Sequence, residues 1–146
     1  MGLSIVRGVP TPPSDLTDEA REFLTVRHLA TLTTLRADGT PHVTPVGFTW
    51  DGTLARVICG GGSAKARNAA RGGSVAVCQV DGRFWLTLEG TARVTAEPDD
   101  VAEAVRRYAE RYRQPRINPE RVAIEITVTR VLGSPVFLGR PEIVRS

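Results

Sequence analysis

Three Asp-Gly pairs, Asp38-Gly39, Asp51-Gly52 and Asp81-Gly82, punctuate this chain and constrain most of what it can fold into. Asp bonds back to its own backbone, and Gly takes the positive φ of a tight turn. Such a pair between alternating apolar and polar residues predicts two antiparallel strands. Period-two runs flank the pairs at 29–36, 42–50, 53–59, 74–80 and 84–95, and a sixth follows at 121–132. In the fifth run Leu86, Leu88 and Gly90 alternate with Trp85, Thr87 and Glu89. A mostly hairpin-connected sheet of six strands tends to close into a barrel, because closure removes its edges.

Three helices are expected beside the strands. Thr17 can cap the first, with Asp18 and Glu19 in the first turn and an end near His28. The second spans 63–71 and is closed by Gly72-Gly73. The third runs from Glu97 to the stop at Gln114-Pro115. Val101, Val105, Tyr108, Ala109 and Tyr112 share one of its faces. Arg106, Arg107, Glu110, Arg111 and Arg113 read as a solvated face with pairing to Glu103 and Glu110, or as a seat for an acidic ligand together with Arg116. The predicted class is α+β, mainly β: a six-stranded antiparallel barrel with flanking helices. It occupies residues 16–138, with a flexible arm at 1–15 and a tail at 139–146.

Composition narrows the function. With 41% hydrophobic and 24% charged residues in 146, the chain reads as one soluble domain. No run approaches the roughly 18 apolar residues of a membrane span, and the Gly- and Pro-containing start is unlike a secretory leader. Cys59 and Cys78 make no disulfide framework and no CxxC metal pair, so thiols in a reducing cytoplasm are expected, with no metal. Net charge is +3, and Lys65 is the only lysine. Arginine forks suit phosphates and carboxylates. Here they cluster on a helix rather than alternating with aromatics along strands, which speaks against nucleic acid.

The densest chemical signal is Val57-Ile58-Cys59-Gly60-Gly61-Gly62-Ser63-Ala64-Lys65-Ala66-Arg67-Asn68. An apolar strand enters a glycine turn that lets backbone approach a ligand closely. Ser63 then offers a hydroxyl and Lys65 a mobile charge, a pattern that suits a phosphate. An ordinary strand-to-helix connection with a solvated lysine has the same spacing. No GxSxG, HExxH or plausible Cys-His pair is present, so no catalytic nucleophile is assigned. His42 reads as a half-exposed strand residue or a group that orients a substrate, and His28 as a helix-end residue. Phe48 and Trp50 are core residues or neighbours of a ring system.

Several of these segments, in this order, carry a family resemblance. They are residues 28–43 (His28-Leu29-Ala30-Thr31-Leu32-Thr33-Thr34 onward), Pro45-Val46-Gly47-Phe48, Gly61-Gly62-Ser63-Ala64-Lys65, Gln79-Val80-Asp81-Gly82-Arg83-Phe84-Trp85, Leu88-Glu89-Gly90, 107–113 and Arg130-Val131-Leu132-Gly133. The chain resembles the pyridoxamine 5′-phosphate oxidase-like flavin-binding split-barrel superfamily, and within it the branch that uses the deazaflavin coenzyme F420, similar to mycobacterial biliverdin reductases. The resemblance implies a split barrel and a homodimer with cofactor sites at its interface. It implies a cofactor phosphate near Gly61, Gly62, Ser63 and Lys65, with Asn68 nearby. The deazaflavin ring would lie along Pro45, Val46, Gly47 and Phe48, facing Gln79, with Trp85 near the interface and Arg113 toward an acidic tail. Ala64 stands where the FMN enzymes carry an arginine, which favours F420 over the alternative, FMN. The implied activity is hydride transfer from reduced F420 to a conjugated small molecule such as a tetrapyrrole. An FMN-dependent oxidoreductase or a non-catalytic carrier of F420 or flavin are the alternatives.

Overall fold

The computed structural model describes residues 10–140. The parts of the expected arm and tail at 1–9 and 141–146 lie outside the described residues. Seven strands form one antiparallel sheet: β1 (Ala30–Leu35), β2 (Pro41–Val46), β3 (Thr49–Trp50), β4 (Leu54–Gly60), β5 (Ser74–Asp81), β6 (Phe84–Thr95) and β7 (Arg121–Gly133). Three α-helices accompany it, α1 (Asp18–Thr25), α2 (Ala64–Ala70) and α3 (Pro98–Arg111). The Asp-Gly turns form as expected, with positive φ at Gly39, Gly52 and Gly82. Thr17 and Ser63 cap α1 and α2, accepting from the Ala20 and Ala66 amides.

One expected strand is corrected. The run 42–50 is split at Gly47-Phe48 into β2 and β3, which makes seven strands rather than six. The sheet order is β2-β1-β5-β6-β7-β4-β3, so these two pieces are its opposite edges. Only Gly47 and Phe48 connect them. At ~3.5 Å per extended residue, the edges are held within roughly 10 Å of each other. The sheet must therefore curl, and this short crossing is the seam of the barrel.

Smaller differences have local causes. α1 ends at Thr25, short of His28, because Val26 turns to extended backbone. The segment after β7 is not wholly irregular: Pro135–Phe137 forms a 3-10 turn that buries Phe137 against the core. Phe137 stacks on Phe23 of α1 with centroids 4.6 Å apart. Before α1, the Val131 amide donates to the Thr11 carbonyl at 2.9 Å. Inside the barrel Leu32, Val57, Val77, Leu86, Leu88, Ile124 and Ile126 are buried, each contributing about 1.5–3 kcal/mol by leaving water.

The β6–β7 pairing shifts register between Glu89 and Gly90. A Cβ at Gly90 would lie 1.9 Å from the Thr127 carbonyl oxygen, so this bulge requires glycine.

Candidate functional site

α3 clamps the seam. Tyr112 follows its last turn, and its hydroxyl donates to the His28 carbonyl at 2.6 Å while accepting from the Phe48 amide at 3.1 Å. Arg111 enters the same gap. Its Nη1 donates to the Phe48 carbonyl (2.6 Å), its Nε and Nη2 to the Val26 carbonyl (3.1 and 2.9 Å), and Nη2 also to Gln79 Oε1 (2.6 Å). The guanidinium lies over the Phe48 ring, 4.8 Å from its centroid. Its charge is held by neutral oxygens alone among the described residues, and burial pulls its pKa below the usual arginine value. Burial likewise pushes the Tyr112 phenol up. Arg111 is thus an internal strut, not part of a solvated face. Arg106 and Arg107 do pair with Glu103, and Arg106 also with Glu110, as helical spacing predicts.

Fixing the seam fixes one wall of a cleft of about 300 Å³. Pro45, Val46 and Gly47 form that wall, and Ile58, Cys59 and Gly60 at the end of β4 form the next. Lys65 of α2, Tyr108 of α3, and Pro115, Asn118 and Arg121 complete it. Gly47 admits the helix: a Cβ there would meet the Tyr108 ring at 3.0 Å and the Tyr112 ring at 3.1 Å. Those two rings lean on each other with centroids 4.9 Å apart.

The glycine turn is pinned from both sides. The Gly61 amide donates to the Glu120 carbonyl at 2.9 Å, which ties the turn to the segment before β7. Ser63 Oγ donates to the Gly60 carbonyl at 2.8 Å and accepts from the Ala66 amide, so this hydroxyl caps the helix. Arg67 donates to the Gly62 carbonyl. Lys65 is half-buried at the cleft with no hydrogen bond or ion pair to any described residue. No Asp or Glu lines the cleft.

The expected site residues separate into two groups. Pro45, Val46, Gly47 and Lys65 meet at the cleft, with Gly61, Gly62 and Ser63 in the adjoining turn. The others go elsewhere. Phe48 is core, under Arg111. Gln79 is fully buried, its Nε2 donating to the Phe23 carbonyl at 2.7 Å and its Oε1 accepting from Arg111, so neither end is free for a ligand. Asn68 is turned toward β1, donating to Thr34 Oγ1 at 3.1 Å and accepting from Arg71 at 2.6 Å. Trp85 is exposed on β6, and Arg113 is exposed beyond α3; neither lines the cleft. His42 is half-buried opposite Thr34, with its Nδ1 lacking a partner.

Tyr108, Ile58, Cys59, Asn118 and Arg121 were not expected at the site. Sheet register brings two of them there, because Gly60 pairs with Arg121 and Ile58 with Ala123. No local pattern announces that pairing. Tyr108 did have a signal: it lies on the apolar face of α3, where an aromatic next to a glycine strand marks a close approach.

The donor set suits an anionic cofactor. It presents an unpaired lysine, an arginine and an amide, with no carboxylate to repel phosphate, beside an apolar strand. Comparison with known proteins agrees. The family model described as pyridoxamine 5'-phosphate oxidase matches residues 16–134. The F420H(2)-dependent biliverdin reductase of Mycobacterium tuberculosis (strain CDC 1551 / Oshkosh) is 57% identical over 127 residues, which cover 86% of this chain and 93% of that protein. Among solved structures, an F420 reductase superposes with a TM-score of 0.67 at 25% identity, covering 80% of this chain and 98% of its own. The M. tuberculosis protein Rv2991 superposes with a TM-score of 0.71 at 24% identity, covering 90% and 94%, and shares the fold.

Proposed function

The chain belongs to the pyridoxamine 5'-phosphate oxidase family, and from that premise we propose that it is an F420-dependent reductase of conjugated small molecules, biliverdin or a related tetrapyrrole first among them. The observation that carries this reading is the carboxylate-free cleft with an unpaired Lys65, in a chain 57% identical to a biliverdin reductase that uses reduced F420. When bound, the deazaflavin supplies the hydride. The protein's part is to hold and orient. Lys65 offers its ammonium to the cofactor phosphate, and the pinned turn at Gly61, Gly62 and Ser63 keeps α2 in register with β7. Pro45, Val46 and Gly47 give the ring a flat apolar strand. The Tyr112 and Arg111 contacts at the seam keep that strand from moving, as a near-attack geometry demands.

A homodimer belongs to the same reading. Leu29, Val80 and Trp85 are exposed apolar residues. Register places Val80 opposite Trp85, and Leu29 precedes the Ala30 that pairs with Gln79, so they form one row across three strands. A second copy covering that row accounts for its exposure. The free thiols of Cys59 and Cys78 fit a reducing cytoplasm, and no helix among the described residues is long and apolar enough to cross a membrane.

The test is a fluorescence titration with F420 and, in parallel, FMN, on the native chain and on Lys65→Ala. The reading expects tight F420 binding that weakens at least tenfold in the variant, followed by biliverdin reduction with reduced F420. Preference for FMN, or binding of neither, overturns it.

A further inference from the structure

A second cavity, of about 120 Å³, opens where α1 and α3 pack on the edge strand β3. Leu24 and Trp50 give it an apolar wall, and Thr49, Arg107, Glu110 and Arg111 supply polar groups. Thr49 is the anomaly. It is more than nine-tenths buried, yet its Oγ1 has no hydrogen-bond partner among the described residues. A hydroxyl withdrawn from water and left unpaired is costly, so a group inside the cavity is needed to meet it. Thr25, at the same cavity, has already spent its hydroxyl on the Arg21 carbonyl at 2.7 Å.

The charges say what that group is. Arg107 donates from Nε to Glu103 at 2.7 Å, and both its Nη groups lack a partner among the described residues. Of the five N–H groups of a guanidinium, Arg111 commits Nε to Val26, both of Nη2 to Val26 and Gln79, and one of Nη1 to Phe48, so one N–H of Nη1 is left. No carboxylate among the described residues pairs with Arg111. Glu110 is the one acid at the cavity; it is exposed, and its Oε1 is held by Arg106 at 2.7 Å. The cavity therefore carries an excess of positive charge. The open Nη1–Nη2 edge of Arg107 matches the two oxygens of a carboxylate. The volume equals about four waters at ~30 Å³ each, too little for a tetrapyrrole or a deazaflavin but enough for a carboxylate with a short carbon chain.

We propose that this cavity binds a small aliphatic monocarboxylate, of the size of acetate, with its oxygens on the Arg107 fork and the Thr49 hydroxyl and its carbon chain against Leu24 and Trp50. The site shares no lining residue with the cleft at Lys65 and does not depend on the F420 reading. It reaches the cleft only through the seam. Arg111 holds the Phe48 carbonyl, and Phe48 follows the Gly47 that forms part of the cleft wall. An anion beside Arg111 compensates a charge that the neutral oxygens around it leave unmatched, and so stabilises the seam.

The experiment is a thermal-melt titration of the full chain at neutral pH, in which sodium acetate replaces sodium chloride at constant ionic strength. The Tm of the native chain is expected to rise by about 4 °C once acetate stands about tenfold above its Kd. Arg107→Gln should weaken the acetate affinity read from the titration about tenfold, and Thr49→Val, which keeps the shape and removes the hydroxyl, about threefold. Arg107→Lys should recover part of the loss, because it keeps the charge without the fork. Lys65→Ala should keep the full response. The readout is the acetate-dependent shift within each protein, so a change in the starting Tm of a variant does not enter it. No rise over chloride in the native chain overturns the site and leaves water as the partner of Thr49. A response retained in both Arg107→Gln and Thr49→Val overturns it as well. Loss of the response in Lys65→Ala would put the acetate in the cleft and overturn it too.

Discussion

Replacing Arg111 with methionine should cost this protein about 3 kcal/mol of stability, although removing a half-buried, desolvated charge often has the opposite effect. Desolvation opposes the guanidinium, as its lowered pKa records, and an apolar substitute would relieve that cost. The outcome turns on what is left behind. Gln79 Oε1 is fully buried and has no other donor, so its loss costs about 1–3 kcal/mol. The Phe48 carbonyl keeps only the 3.2 Å contact from Tyr112, and the Val26 carbonyl only the 3.3 Å contact from His28, so each loses about 1 kcal/mol of charge-assisted bonding. The stacking on Phe48 adds about 0.5–2 kcal/mol. Set against the relieved desolvation, the net is about 2–4 kcal/mol, or about 9 °C in Tm for a chain this long. Urea unfolding followed by circular dichroism would measure it. The Arg111→Met/Gln79→Leu double variant should recover about 1–2 kcal/mol relative to the sum of the singles, since the orphaned oxygen is gone. A single variant within 0.5 kcal/mol of the native chain, or more stable than it, would refute the strut.

Three further outcomes follow from the same geometry. Tyr112→Phe leaves the Phe48 amide and the His28 carbonyl without the hydroxyl and should cost about 1–3 kcal/mol by urea unfolding, less than additively with Arg111→Met because both hold one seam. Gly90→Ala drives a methyl onto the Thr127 carbonyl; the β6–β7 backbone must shift, and the loss should exceed about 3 kcal/mol or leave the protein insoluble. Glu103 is held down at about 2 by Arg106 and Arg107, below its usual 4.5. A depressed carboxylate stabilises above its unfolded pKa and loses that contribution as pH falls. A Glu103→Gln variant should therefore be slightly less stable at pH 6, by under ~1 kcal/mol for so exposed a pair, with the gap closing between pH 4.5 and 2 in an acid melting series.

Much of the local structure was legible in the sequence because it depends on neighbours in the chain. Asp-Gly turns, the Thr17 and Ser63 caps and the strand faces each follow from a few consecutive residues. The split of run 42–50 was not legible, for a definite reason. In residue type the period of two continues through it, with apolar Val46, Phe48 and Trp50 at every second position, whereas burial breaks there: Phe48 and Thr49 are consecutive and both buried, because the chain leaves one edge strand and joins the other. Alternation of residue type reports two faces of a strand, and it does not report which partner each residue pairs with.

By itself, then, the sequence determined a mainly β chain of hairpins and helices, with a glycine turn poised before its only lysine. The tertiary structure alone decided what that lysine faces. Arg121 reached the cleft through pairing with Gly60, sixty-odd residues away in the chain, and Arg111 left the helix surface because the two sheet edges needed a clamp. Fully buried Gln79 and half-buried Asn68 were drawn into internal hydrogen bonds for the same kind of reason, since an amide withdrawn from water must find partners wherever the curled sheet supplies them. Local preferences act over a few residues, whereas register and burial are settled when distant strands meet, and that is where this site was made.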